Sequence, residues 1–131
     1  VASGILDKIK IFGSDWPTYD GTGVRDYIHV MDLAEGHLSA LDYLQKEKPQ
    51  ILTVNLGTGK GTSVLELIKT FQKVNKVKIP YRFVERRPGD NASVVADNSL
   101  AKSIFDWEPT RNIEVICKNG WNWQLKNPDG Y

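Results

Sequence analysis

ILTVNLGTGKGTSVLELIKTF, Ile51–Phe71, reads as a strand, a glycine-rich turn and a helix in succession. The β-branched and aliphatic run Ile51–Gly57 fits a buried strand. Ser63 and Glu66 have the spacing of a capping box, and Val64, Leu65, Leu67, Ile68, Phe71 and Val74 recur at helical intervals. The same alternation repeats outward from this unit. Upstream, KIKIFG (8–13) predicts a short strand ending at glycine, and SDWPTYDGTG (14–23) an ordered loop. After RDYIHV (25–30), Asp32 and Glu35 predict a second capping box. Leu33, Ala34, Leu38, Leu41 and Leu44 give that helix its apolar positions, and it stops before Pro49. Downstream, IPYRFVE (79–85) predicts a strand and RRPGD (86–90) a loop. Asp97 is expected to cap a short helix through Leu100, Ile104 and Phe105. A last helix starts near Asn112 and carries Ile113, Ile116, Cys117, Trp121 and Leu125. Alternating strands and helices indicate a small α/β unit with few strands.

The chain's 131 residues suffice for one domain and a sizeable core. A formal net charge of +1 gives no argument for a nucleic-acid or membrane-surface partner. The single cysteine, Cys117, excludes an intrachain disulfide and a cysteine-cluster metal site. No apolar run approaches the roughly 20 residues that span a bilayer, so the cytoplasm is the expected location. The opening VASGILDKIK lacks an initiator methionine and reads like a cut through a longer sequence.

Three stretches carry candidate binding groups. Gly57–Thr62, GTGKGT, joins an expected strand to a helix start, where free amides and the helix dipole favour an anion. It is neither a Walker A loop, because Gly61 follows Lys60, nor the dinucleotide fingerprint. A tight turn shaping a pocket wall and a direct ligand contact both fit. RRPGD offers two guanidinium groups for phosphoryl oxygens and an aspartate for hydroxyls, against a solvated turn whose charges pair locally. In RDYIHV, strand alternation puts Arg25 and Tyr27 on one face, suited to a phosphate and a ring or hydroxyl, or to packing against each other. His29 reads as structural, and His29 and His37 lack metal-ligand spacing. Cys117 reads as core. The four tryptophans, without interleaved basic residues, read as packing and loop anchors. None of the five tyrosines has a lysine four residues on, so the Tyr-x-x-x-Lys proton-transfer pair is absent. Binding groups are present without a catalytic pair.

Taken in order, IFGSDWPTYDGTGVRDYIHVMDLAEGH, VNLGTGKGTSVLEL, RRPGD and WNWQLKNPDGY resemble the C-terminal part of the UDP-hexose 4-epimerases, members of the extended short-chain dehydrogenase/reductase family. The likeness covers essentially the whole chain. RDYIHV followed by D-L-A is shared more loosely with nucleotide-sugar dehydratases and related epimerases, so the alternatives are a dehydratase or decarboxylase of the same family, or an isolated nucleotide-sugar-binding module without activity. The resemblance implies the C-terminal, UDP-sugar-binding part (1–131) of an α/β enzyme, with the N-terminal NAD-binding Rossmann domain mostly missing. It implies an isomerase of UDP-glucose and UDP-galactose that oxidises and re-reduces C4 through NAD. A homodimer is implied for the intact enzyme. By motif, Phe12 and the backbone of Ile11 match the uracil contact, and Arg25 matches a diphosphate arginine with Tyr27 beside the nucleotide. Val64 matches an apolar contact, Arg87 the second diphosphate arginine and Asp90 the ribose-hydroxyl acceptor. Val94 stands where the family often has an aromatic residue at the sugar end. The catalytic tyrosine, its lysine and the NAD fingerprint are expected upstream, and these 131 residues alone are expected to be inactive.

Overall fold

The computed structural model describes residues 1–130, so Tyr131 at the end of the NPDGY tail lies outside the described residues. Five short strands and four helices follow one another as β1 (Ile9–Phe12), β2 (Val24–Asp26), α1 (Val30–Lys46), β3 (Gly61–Ser63), α2 (Val64–Asn75), β4 (Tyr81–Val84), β5 (Ser93–Val94), α3 (Ser99–Phe105) and α4 (Ile113–Lys126). The strands make two sheets. In one, β1 pairs in parallel with β4, Ile11 opposite Phe83. In the other, β2 lies between antiparallel β3 and parallel β5. The chain is thus the small α/β unit that its alternating pattern predicts. No helix among the described residues is long and apolar enough to cross a membrane.

Ile11, Ile68 and Ile79 form the core between the β1–β4 pair and α2, with Ile9, Leu65, Phe71 and Val77 packed around them. Each buried aliphatic side chain contributes about 2 kcal/mol of apolar burial. Helix α4 closes this side, its Trp121 meeting Phe71 edge to face at 5.9 Å. Cys117 is buried on α4, and burial pushes its thiol pKa up, with the charge of Glu114 adding to the effect. Asn112 caps α4 as its position predicts, accepting from the Val115 amide.

Three expectations need correction. First, residues 51–56 form no strand. They have no regular structure and no ladder partner, and Ile51 is fully exposed. An apolar run becomes a strand only when an edge is present to pair with. Second, Asp32 does not cap α1. The cap is His29, whose Nδ1 accepts from the Met31 amide at 3.0 Å while its Nε2 lies 3.1 Å from Asn119 Nδ2. Asp32 turns inward instead and is completely buried. Its carboxylate accepts from the Arg111 amide at 3.1 Å, from Thr110 Oγ1 at 3.3 Å and from the Arg111 guanidinium. The same guanidinium grips Glu35 with two bonds of 2.9 and 3.0 Å, so both carboxylates of the supposed box serve one distant arginine. Third, the leucine stripe of α1 looks outward, with Leu38, Leu41 and Leu44 at least half exposed. The inward face is Asp32 and Gly36. Gly36 is needed there because a Cβ would lie 3.0 Å from the Trp107 ring. At α3, Asn98 holds the cap position, and Asp97 one residue earlier accepts from the Ser99 amide.

Burial alone would raise the Asp32 pKa. The Arg111 amide and guanidinium, with Thr110, outweigh it and hold the carboxyl below the ordinary carboxylate range. A depressed folded-state pKa contributes stability that is complete above the unfolded value of about 4 and is lost as pH falls through the folded one. Asp32→Asn is therefore expected to lower the thermal midpoint by about 5 °C at neutral pH. The two melting curves should converge in acid, and a gap that stays constant down to about pH 2 would contradict the assignment.

Candidate functional site

A cleft of about 290 Å³ opens between the end of β1, strand β2, the start of α2 and the RRPGD loop. Phe12, Arg25, Tyr27, Val64, Arg87 and Asp90 all line it. Six residues spread over almost eighty positions of sequence therefore converge. Ile11 does not line it: the residue is 1% exposed and its side chain belongs to the core. Alternation along β1 explains the division, since Ile11 points inward and Phe12 to the other face. Gly13 then turns the chain at φ +86°, where a Cβ would sit 2.3 Å from the Trp16 indole nitrogen. That indole donates to the Phe12 carbonyl at 3.0 Å and ties the loop to the strand end.

The charges of the cleft are arranged around Asp90. Arg87 donates to it at 2.9 Å, and Arg25 approaches it at 3.7 Å. The Arg87 guanidinium also lies 4.6 Å from the centre of the Phe12 ring. One nitrogen of Arg25 donates to the carbonyls of Val24 (2.7 Å) and Asn91 (3.0 Å), which anchors the group while the other nitrogen faces Asp90. Burial pushes the Tyr27 phenol up and the Arg25 charge only partly opposes it, so the hydroxyl stays protonated. Arg86 is excluded from this constellation. It donates to the Asp15 carboxylate at 2.8 Å and the Asp15 carbonyl at 2.6 Å, and stacks 4.0 Å over Trp16. Only the second arginine of RRPGD reaches the cleft.

The glycine turn offers no amide to a ligand at its centre. Thr58 and Gly59 donate their backbone N–H groups to the Asp26 carboxylate at 3.0 Å, and the Thr58 hydroxyl adds a further bond. Ala96, beyond β5, donates to the same carboxylate at 3.3 Å. The first amides of α2 are committed as well: Val64 donates to the Gly23 carbonyl, Leu65 to Thr22 Oγ1 and Glu66 to Ser63 Oγ. Ser63 caps the helix as its spacing predicts, but Glu66 does not reach back to it. The Tyr19 hydroxyl stands between them, accepting from the Ser63 amide and donating to the Glu66 carboxylate. The turn shapes the wall and brings Val64 to the cleft. Filled by the chain's own carboxylate, the turn at Thr58–Gly59 has no amide left over for the pyrophosphate of a dinucleotide such as NAD.

Sequence reasoning missed Lys10, Trp16 and Gly23 as lining residues. Lys10 was recoverable, since it shares the strand face of Phe12 two residues on. Gly23 has no local signal; a Cβ there would press on the Arg25 guanidinium at 3.4 Å. Past Arg25 lies a second hollow of about 390 Å³, between Asn55–Gly57 and Val94–Asp97. Val94 faces this hollow rather than the first cleft.

Known proteins match essentially the whole of the chain. A family model described as GDP-mannose 4,6 dehydratase matches residues 1–120. A UDP-glucose 4-epimerase of Pasteurella multocida (strain Pm70) is 54% identical over all 131 residues, and one of Bacillus subtilis (strain 168) is 51% identical over the same length. In both cases the chain spans only 38% of the relative. A crystal structure of the Bifidobacterium longum UDP-glucose 4-epimerase in complex with NAD+ and UDP superposes with a TM-score of 0.93 at 45% identity, over 99% of this chain and 38% of that one. The Stenotrophomonas maltophila enzyme, with bound NAD and formylated UDP-arabinopyranose, gives 0.92 at 47% identity, over 95% and 37%. With the cleft residues in place and the match running from Val1 to Gly120, the chain belongs to the GDP-mannose 4,6 dehydratase family, where it is similar to the C-terminal ~38% of UDP-glucose 4-epimerases.

Proposed function

We propose that the chain is the UDP-sugar-binding part of an isomerase that interconverts UDP-glucose and UDP-galactose by NAD-dependent oxidation and re-reduction at C4. The convergence of Phe12, Arg25, Arg87 and Asp90 in one cleft carries this reading. In it, uracil packs on the Phe12 ring beside the backbone of Ile11, with Val64 as the apolar wall. Arg25 and Arg87 hold the diphosphate, for which paired guanidinium groups are suited by charge and geometry. Asp90 accepts from the ribose hydroxyls, and Tyr27 donates from the side of the nucleotide. The hexose continues past Arg25 toward the hollow that Val94 faces. NAD and the proton-transfer groups belong to a Rossmann domain preceding this region in the same protein. The outward leucines of α1 and the exposed apolar residues Ile51 and Leu52 support that reading, because they present apolar surface to such a neighbour.

Titration calorimetry tests the binding site. UDP is expected to bind more tightly than UMP, and UMP more tightly than uridine. Arg25→Ala and Arg87→Ala should each weaken UDP by about tenfold or more, with the loss shrinking at high salt. Absence of UDP binding at millimolar concentration, or unchanged affinity in both variants, would sink the assignment. The family model favours a second reading, in which a guanine nucleotide takes the same cleft. GDP binding more tightly than UDP would select it.

Activity is a separate matter. Purified chain incubated with NAD+ and UDP-glucose is expected to form no UDP-galactose. Measurable product would show that the proton-transfer groups lie within these residues.

A further inference from the structure

The glycine turn and the RDY stretch are each other's missing partner. Asp26 carries its negative charge into the turn at Thr58–Gly59, where two backbone amides and a hydroxyl converge on it. We propose that Asp26 is the built-in anion of this turn and a positioning residue for Arg25, the turn acting on the diphosphate through the strand rather than by touching it. The second half of this statement rests on the UDP-binding reading above; the first does not.

The geometry supports both halves. Converging amides form a concave seat for an anion, and here the seat is filled from within. The glycines are demanded by that filling. A Cβ on Gly57 would lie 2.7 Å from Asp26 Oδ2 and 2.4 Å from the Ala96 methyl, and Gly59 takes φ +70°. On β2, Asp26 is opposite Gly61, while Arg25 is opposite Thr62 on one side and Val94 on the other. Because the Asp26 carboxylate also takes the Ala96 amide, it bonds chain on both flanks of β2. Alternation sends the neighbouring Arg25 side chain to the opposite face, into the cleft. Its guanidinium is then held by the Val24 and Asn91 carbonyls, which move with β2 and β5. Loosening Asp26 releases the frame in which Arg25 is aimed, without removing any group from the cleft itself.

Chemical rescue separates this role from general stability. Asp26→Ala leaves a hole of the size and charge preference of formate. The variant's thermal midpoint should rise saturably with sodium formate and not with equal sodium chloride, whereas the parent chain should respond alike to both. UDP affinity of Asp26→Ala should fall about tenfold, the equivalent of one lost charge-assisted hydrogen bond, and formate should restore most of it. Arg25→Ala should show no formate rescue of UDP binding. Identical melting of Asp26→Ala in formate and chloride would overturn the built-in anion. UDP affinity equal to that of the parent chain would overturn the positioning role. If Asp26→Ala does not fold, Thr58→Val, which deletes one bond to the carboxylate, should weaken UDP about threefold, and no change would overturn the proposal. Failure of the parent chain to bind UDP would strike the functional reading alone, because formate-dependent melting needs no nucleotide.

Discussion

Three residues of extended chain, Val24–Asp26, hold the three-stranded sheet beside the cleft in register. They are the only strand with a neighbour on each side among the described residues, and every neighbour is as short. So few ladder bonds cannot fix a sheet by themselves, since even a two-stranded hairpin is marginal alone. The side chains compensate. One face of β2 sends a carboxylate across to the turn before β3 and the chain after β5, and the other sends a guanidinium to the strand's own Val24 carbonyl and to Asn91 in the loop before β5. The opposed charges of Arg25 and Asp26 are therefore two braces on one strand, pointing opposite ways.

The cleft obeys a related rule: its one carboxylate is shared by two arginines before any ligand arrives, and with Lys10 the lining keeps an excess of positive charge. Asp90 stands between Arg25 and Arg87, and the Phe12 face is shared with the Arg87 guanidinium. Exposed pairs of this kind are weak, worth about 0–1 kcal/mol, so exchanging them for phosphate and ribose oxygens costs little. Neighbouring groups meet the opposite fate. Arg86 is stacked and paired on the far side of the same loop, and this anchorage leaves Arg87 little freedom to swing away. A run of two arginines thus contains one anchor and one binding group.

How much was legible in the sequence follows from how local each determinant is. Ser63 and Asn112 were readable as caps because a cap bonds to amides three residues on. The 3.6-residue spacing of α2 was readable for the same reason. Asp32 and Glu35 carry the local pattern of a cap, yet Arg111, 79 residues beyond Asp32, takes both. No short window contains that competitor. The glycine cluster was legible as a seat for an anion, but the aspartate that fills it lies 32 residues away. The residues of the cleft were identified by motif likeness and Lys10 could be found by strand alternation, whereas Trp16 and Gly23 enter only because the fold brings their loop against the same face.

The apolar run at residues 51–56 has a colloidal consequence. It combines β-branched and aliphatic side chains with no net charge, a backbone without a ladder partner and an adjoining apolar helix face. Such a segment is a template on which further strands of the same kind can add, the route by which soluble chains become fibrous. The residues before it, Lys46, Glu47, Lys48 and Pro49, are the charges and the ladder-breaking proline that discourage that growth from one end. Nothing comparable stands at the other end, where Asn55 leads into the glycine turn. For this chain in isolation, solubility is thus a question about one six-residue segment.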